Sequence, residues 1–146
     1  MLLPSLDPAD LKPGQTLPRW EHAFSAVDLM AYGAATWDWH RVHYDLDYAR
    51  ARKLPGLLID GQVYGAIFAR LATRWAGPDA FLSAMKLRMK SMAFAGDTLH
   101  ATGEVSKVER EGDGYRVYIE QFLWCGERAV AQGSTTLLFS RKGARG

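Results

Sequence analysis

The segment Trp37-Asp38-Trp39-His40-Arg41-Val42-His43-Tyr44-Asp45 gathers two acids, two histidines and three aromatic residues within nine positions. Asp38 and His43 lie five residues apart, in a stretch without helical periodicity, so a turn can bring both side chains to one point. A carboxylate and an imidazole that share one water form an acid/base unit, because each can take or give a proton near neutral pH. A second reading stands beside it: Asp38 is a cap or turn residue and His43 a satisfied loop histidine. Asp45 reads as a helix cap, and Trp37 and Trp39 as packing groups.

Asp60-Gly61 is the second feature. The first N–H groups of a helix lack internal partners and carry the positive end of its dipole. Gly61 has no side chain to shield its N–H, which suits it to a carbonyl oxygen on which negative charge develops. Equally, glycine there permits tight packing at the helix start. The sequence holds no Gly-x-Gly-x-x-Gly, P-loop, His-Glu-x-x-His or Gly-x-Ser-x-Gly, so nucleotide, zinc-protease and serine-hydrolase chemistries of those types lack support. His22 and His100 fall on strand-like segments as surface residues, and Cys125 ends a strand as a structural one.

The elements that position these groups follow from capping and periodicity. Ser25 and Asp28 form a capping box for a helix reaching about Ala35. Asp45 caps a short helix over Leu46 to Arg52, and Pro55-Gly56 breaks the chain. Asp60 and Gly77-Pro78 bound a helix of about 16 residues. Val63, Tyr64, Ile67, Phe68, Leu71 and Trp75 wrap much of its circumference, and Gly61, Gly65 and Ala69 form a small-residue stripe. Such a helix is buried on most sides. Period-two alternation then takes over, with Met85, Leu87 and Met89 against Lys86, Arg88 and Lys90, and with Leu99, Ala101, Gly103 and Val105 against polar neighbours. Turns at 95–97, 112–114 and 126–127 divide four consecutive strands, most simply an antiparallel meander wrapping the helix. A further strand near Leu17 to Phe24 joins the sheet. The expected architecture is α+β in one domain over 1–146, with loose ends at 1–14 and 141–146.

Composition is that of an ordinary globular protein: 48% hydrophobic, 23% charged, net charge +2. That balance gives no electrostatic footprint for nucleic acid. One cysteine excludes an internal disulfide and a cysteine-built metal site. Met1 to Asp10 lacks the basic region of a signal peptide, and Gly61 to Ala76 is too short and too polar to span a bilayer. A soluble, cytoplasmic protein without membrane attachment is expected.

At these residues the sequence resembles the MaoC-like (R)-specific enoyl-CoA hydratases and 3-hydroxyacyl dehydratases, whose pattern is Asp-x-Asn-Pro-x-His. Asp38-Trp39-His40-Arg41-Val42-His43 keeps the acid and the final histidine, with His40 and Arg41 in place of Asn and Pro. Gly61 stands where the family's oxyanion-hole glycine would, and Gly96-Asp97-Thr98-Leu99 matches a family turn. Asp60 replaces a histidine common in the family. Trp75-Ala76-Gly77-Pro78 is similar to small subunits of two-component steroid side-chain hydratases. The resemblance, over residues 20–140, implies a hot-dog fold in which a curved antiparallel sheet wraps a central helix. It implies Asp38 and His43 as the catalytic pair, Gly61 in the oxyanion hole, and His40, Arg41, Asp60 and Tyr64 at the substrate. It implies a CoA or acyl-carrier thioester as substrate carrier, no metal or redox cofactor, and a homodimer or a heteromer with another hot-dog chain. Lys86, Arg88 and Lys90 are a solvated strand face or a landing patch for coenzyme A phosphates. Rival readings are a partner-dependent or non-catalytic acyl-CoA-binding subunit and a hot-dog thioesterase.

Overall fold

The structure, a computed structural model, describes residues 6–140; the basic tail at 141–146 and residues 1–5 lie outside the described residues. Its centre is the 16-residue helix α3 (Gly61–Ala76). Asp60 opens it, with its side chain accepting from the Gln62 N–H, and Gly77 closes it at φ 86°, a conformation glycine adopts without steric cost. Two helices precede it, α1 (Ala26–Thr36) and α2 (Leu46–Ala51). Five strands complete the order: β1 (Trp20–Ala23) before α1, then β2 (Ala80–Met89), β3 (Thr98–Glu111), β4 (Gly114–Cys125) and β5 (Arg128–Phe139) after α3.

The strands form one antiparallel sheet in the order β1-β3-β4-β5-β2. The meander expectation holds for β3, β4 and β5, which follow one another through the turns at Gly112 and Gly126. It fails for β2, which skips β3 and β4 and pairs with β5 at the far edge, Met89 opposite Ala131 and Ala80 opposite Phe139. Alternation tells which face a strand buries but not which strand lies beside it. One local feature suits the observed pairing. A Cβ on Gly133 would come within 2.1 Å of the Lys86 carbonyl oxygen, so glycine lets β2 close onto β5.

The sheet curves over α3 and buries Val63, Tyr64, Ile67, Phe68, Leu71 and Ala72 against Leu99, Ala101, Val105, Val117, Ile119, Leu123 and Leu137. Phe68, with no exposed surface, sits at the middle of the helix beneath Gly133. The buried Gln121 Nε2 donates to the Phe68 carbonyl at 2.9 Å. This is the hot-dog arrangement, with two departures from the sequence reading. Enclosure of α3 is incomplete: Gln62, Ala66, Arg70 and Arg74, at i, i+4 spacing, form an exposed stripe. The leading segment is docked from residue 6 onward. Leu11 is buried, the Gly14 N–H bonds to the Val105 carbonyl and the Leu6 N–H to that of Ala76.

Edge strand β2 keeps much apolar surface in contact with solvent. Phe81 is 68% exposed and Met89 63%, with Met85 between them. On the opposite pleat Lys86, Arg88 and Lys90 are solvated, as the alternation predicts.

Candidate active site

The site begins with a well-capped helix that ends abruptly. The Ser25 hydroxyl accepts from the Asp28 N–H at 3.2 Å, and Asp28 Oδ2 accepts from the Ser25 N–H at 2.7 Å. The Ser25 hydroxyl also donates to Asp28 Oδ2 at 2.6 Å, and this bond, then that from the Ser25 N–H, holds the Asp28 carboxyl below the ordinary carboxylate range. At its other end α1 stops at Trp37, which takes a left-handed conformation with φ 61°. The chain folds back over the helix, and the Asp38 carbonyl oxygen would lie 2.9 Å from a Cβ on Gly33. Glycine at 33 is therefore what lets the Asp38 loop lie against α1.

Short local bonds then set the loop's shape. Asp38 Oδ1 accepts from the His40 N–H at 3.1 Å. A 3-10 turn follows at Arg41–His43, capped by His40. Leu58 ties this turn to the body of the protein: its N–H donates to the Val42 carbonyl at 3.0 Å, and its carbonyl lies 2.7 Å from His43 Nδ1. A carbonyl can only accept, so Nδ1 carries the hydrogen, and in the neutral ring the Nε2 lone pair is left free. Two steps along the same strap, after the Ile59 N–H bonds to the Ala93 carbonyl at 2.9 Å, the chain reaches Asp60.

Asp38, His43 and Asp60 converge. Each offers one ligand atom, and these atoms all lie within 4.8 Å of one another. Together they line a small cavity with Phe24, Asp28, Leu29, Tyr32, Gly33 and Val63. Among the described residues, the lining holds three carboxylates and no lysine or arginine. Burial, and then the Asp60 charge, raise the Tyr32 phenol above its ordinary range. Phe24 is fixed by the turn at Gly96-Asp97: its N–H bonds to the Asp97 carbonyl and its carbonyl accepts from the Gly96 N–H.

The remaining sequence candidates lie elsewhere. Arg41 forks onto Asp45 at 3.1 and 2.7 Å and covers the Tyr48 ring at 4.4 Å, so its charge is engaged outside the cavity. His40 is an exposed turn cap. Tyr64 is 2% exposed and packed in the core, with its hydroxyl on the Ala93 backbone. Helical periodicity marked Tyr64 as apolar-facing without telling core from cavity. Gly61 sits between the lining residues Asp60 and Val63, with Met89 Sδ where its Cβ would be. Its N–H has no hydrogen-bond partner among the described residues. Trp37 is not a packing group, at 80% exposed, and meets Trp39 edge-on at 6.1 Å. Tyr32 and Gly33 were missed as site residues. The only signal for them was their position on the capped helix just ahead of the loop.

The chain belongs to the family described as MaoC like domain, whose model matches residues 10–120. It is 30% identical over 95 residues, 65% of its length, to the 3-oxo-4,17-pregnadiene-20-carboxyl-CoA hydratase beta subunit of Mycobacterium tuberculosis, of which 74% is covered. It is 29% identical over 89 residues, 61% of its length, to the mitochondrial 3-hydroxyacyl-[acyl-carrier-protein] dehydratase of Arabidopsis thaliana, and spans 52% of that relative. Its fold matches a chain in the crystal structure of the ChsH1-ChsH2 complex from Mycobacterium tuberculosis with a TM-score of 0.79 and 24% identity, covering 89% of this chain and 98% of that one. These named relatives are a hydratase subunit and a dehydratase.

Proposed function

We propose that the chain adds water to a trans-2-enoyl thioester to give a (3R)-3-hydroxyacyl thioester, or runs the reverse dehydration. The observation that carries this reading is the convergence of Asp38 and His43 on one small, largely apolar cavity. In the hydration direction, one water lies between the two side chains. Its oxygen bonds to the β-carbon as an O–H bond breaks and the proton passes to the Asp38/His43 pair. The carbon–carbon π electrons move towards the thioester, and the α-carbon takes a proton. Charge that builds on the thioester oxygen meets the helix N-terminus at Gly61, where an unpaired N–H and the dipole favour it. A single cysteine suits a reducing cytoplasmic setting. The experiment is a panel of enoyl-CoAs and enoyl-acyl-carrier thioesters offered to the purified chain, read by loss of the conjugated thioester absorbance. Hydration of at least one substrate is expected. No turnover of any, alone or with a related hot-dog chain added, overturns the reading.

The acting unit is a homodimer or a heteromer with another hot-dog chain. Support comes from the apolar edge of β2, where Phe81, Met85 and Met89 face solvent on a strand with one side unpaired. The likeness to a named beta subunit and to a chain from a two-component complex favours the heteromer. Light scattering of the purified chain is expected to give twice the chain mass, or to do so once the partner is added. A stable monomer near 16.3 kDa under both conditions contradicts this.

Gly33 offers a test of positioning. Gly33→Ala places a methyl 2.9 Å from the Asp38 carbonyl and pushes the loop outward. Turnover should fall by ~10–10²-fold, because displacements of about 1 Å at a catalytic group have effects of that size. Stability should change by no more than about 1 kcal/mol, since the better helix propensity of alanine offsets part of the crowding. Parallel kinetics and thermal melts separate the two effects.

A further inference from the structure

We propose that Asp60 sets the substrate class of this site: it accepts a hydrogen bond from a hydroxyl on the acyl group, on the carbon next to the double bond, and disfavours acyl groups that carry a carboxylate. The inference rests on the hydratase reading only for where the double bond lies. Asp60 divides its two oxygens between two tasks. Oδ1 accepts from the Gln62 N–H at 2.9 Å and caps α3. Oδ2 is buried and has no hydrogen-bond partner among the described residues. A buried carboxylate oxygen left without a donor is costly. The carboxyl lines the cavity, and one of its oxygens lies within 4.8 Å of the Asp38 and His43 atoms that would hold the water.

The reacting water does not supply the missing donor, since it has two hydrogens and Asp38 and His43 Nε2 take both. The protein does not supply it either. Among the described residues no lysine or arginine lines the cavity, the His43 Nδ1 hydrogen goes to the Leu58 carbonyl, and the Tyr32 phenol is not bonded to Oδ2. The bound acyl group is left as the source. A donor ~2.8 Å from Oδ2 then sits one or two bonds from the reacting carbons. A hydroxyl on either of those carbons would be an enol and would pass to the ketone, so the first stable place for it is the γ-carbon. Tyr32 suits the same group. Burial, and then the Asp60 charge, raise its phenol, which keeps its proton and can donate to the hydroxyl oxygen; an ammonium group has no lone pair to accept it. A site built around a substrate hydroxyl discriminates against analogues that lack one, because its buried acceptor is then unpaired. An acyl carboxylate fares worst, since Asp28, Asp38 and Asp60 all line the cavity and would repel it.

The test reads binding apart from turnover. Butyryl-CoA, 4-hydroxybutyryl-CoA and succinyl-CoA share one chain length and have no double bond to hydrate. Each is titrated by calorimetry into the full chain, in the oligomeric state that it adopts. 4-Hydroxybutyryl-CoA is expected to bind ~10–10²-fold more tightly than butyryl-CoA, the range for a hydrogen bond to a charged group. Succinyl-CoA is expected to bind more weakly than either. Asp60→Asn keeps an oxygen for the Gln62 N–H and replaces the cavity acceptor by an amide NH₂. It should remove most of the hydroxyl preference and bring succinyl-CoA closer to butyryl-CoA. Equal affinity for butyryl-CoA and its 4-hydroxy derivative overturns the proposal, and so does no binding of any of the three. A folded Asp60→Asn that weakens all three alike also overturns it, since the donor would then belong to the carrier. If that variant does not fold, the comparison of the three thioesters on the unaltered chain decides alone. Turnover of crotonyl-CoA and 4-hydroxycrotonyl-CoA is measured separately. A binding preference without turnover removes the hydratase reading and leaves the hydroxyl site standing, whereas turnover without the preference removes this proposal alone.

Discussion

Replacing Asp38 by Asn, or His43 by Ala, should lower turnover of the best enoyl thioester by ~10²–10⁴-fold, the range for loss of a positioned proton-transfer group. Both side chains line the same cavity, and among the described residues neither has a hydrogen-bond partner outside the loop and the Leu58 strap that would give it a larger structural role. Substrate affinity should change far less, because neither group is asked to hold the carrier portion. His40→Asn is the control. His40 is exposed and caps a turn, which asparagine also does, so its effect should be small. Steady-state kinetics on the three variants decide the matter. Near-normal activity in Asp38→Asn would remove the assignment.

Phe68→Ala should destabilise the fold by ~3–5 kcal/mol, the usual cost of truncating a fully buried phenylalanine. Its ring has no exposed surface and packs under Gly133, the residue that admits the Lys86 carbonyl and so holds β2 to β5. The cavity left behind would lie where helix and sheet meet, with the Gln121 side chain bonded to the same residue's carbonyl. Chemical denaturation followed by circular dichroism measures the effect. A loss below about 1 kcal/mol would show that the sheet can collapse onto the helix without the ring.

How much of this was readable in the chain depended on the range of the interaction involved. Ser25 with Asp28, Asp45, Asp60 and Gly77 delimit helices through contacts a few residues away, and each is found at the position its type predicts. The inward faces of β3 and the solvated face of β2 were legible from alternation. The place of β2 in the sheet was not, because its partner lies some forty residues on and pairing leaves no mark in periodicity. The same limit applies at the site. The spacing of Asp38 and His43 showed that a turn can join them, but the approach of Asp60 depends on the strap at 57–59, whose course is set by Ala93 and Ala95. Tyr64 and Val63, adjacent on α3, point respectively into core and cavity, a distinction that only the packed sheet makes.

The group that orients His43 is the main-chain carbonyl of residue 58. Every amino acid carries that carbonyl, so no side-chain replacement at 58 can delete it. The tautomer of the imidazole is thereby insulated from mutation at its own hydrogen-bond partner, and position 58 is left free to vary with whatever packs beside it. Asp60 has no such protection, since its cavity-facing oxygen vanishes with the side chain. Within one small site, therefore, the carbonyl that orients the histidine survives any substitution at its own position, while the second carboxylate is a single substitution away from loss.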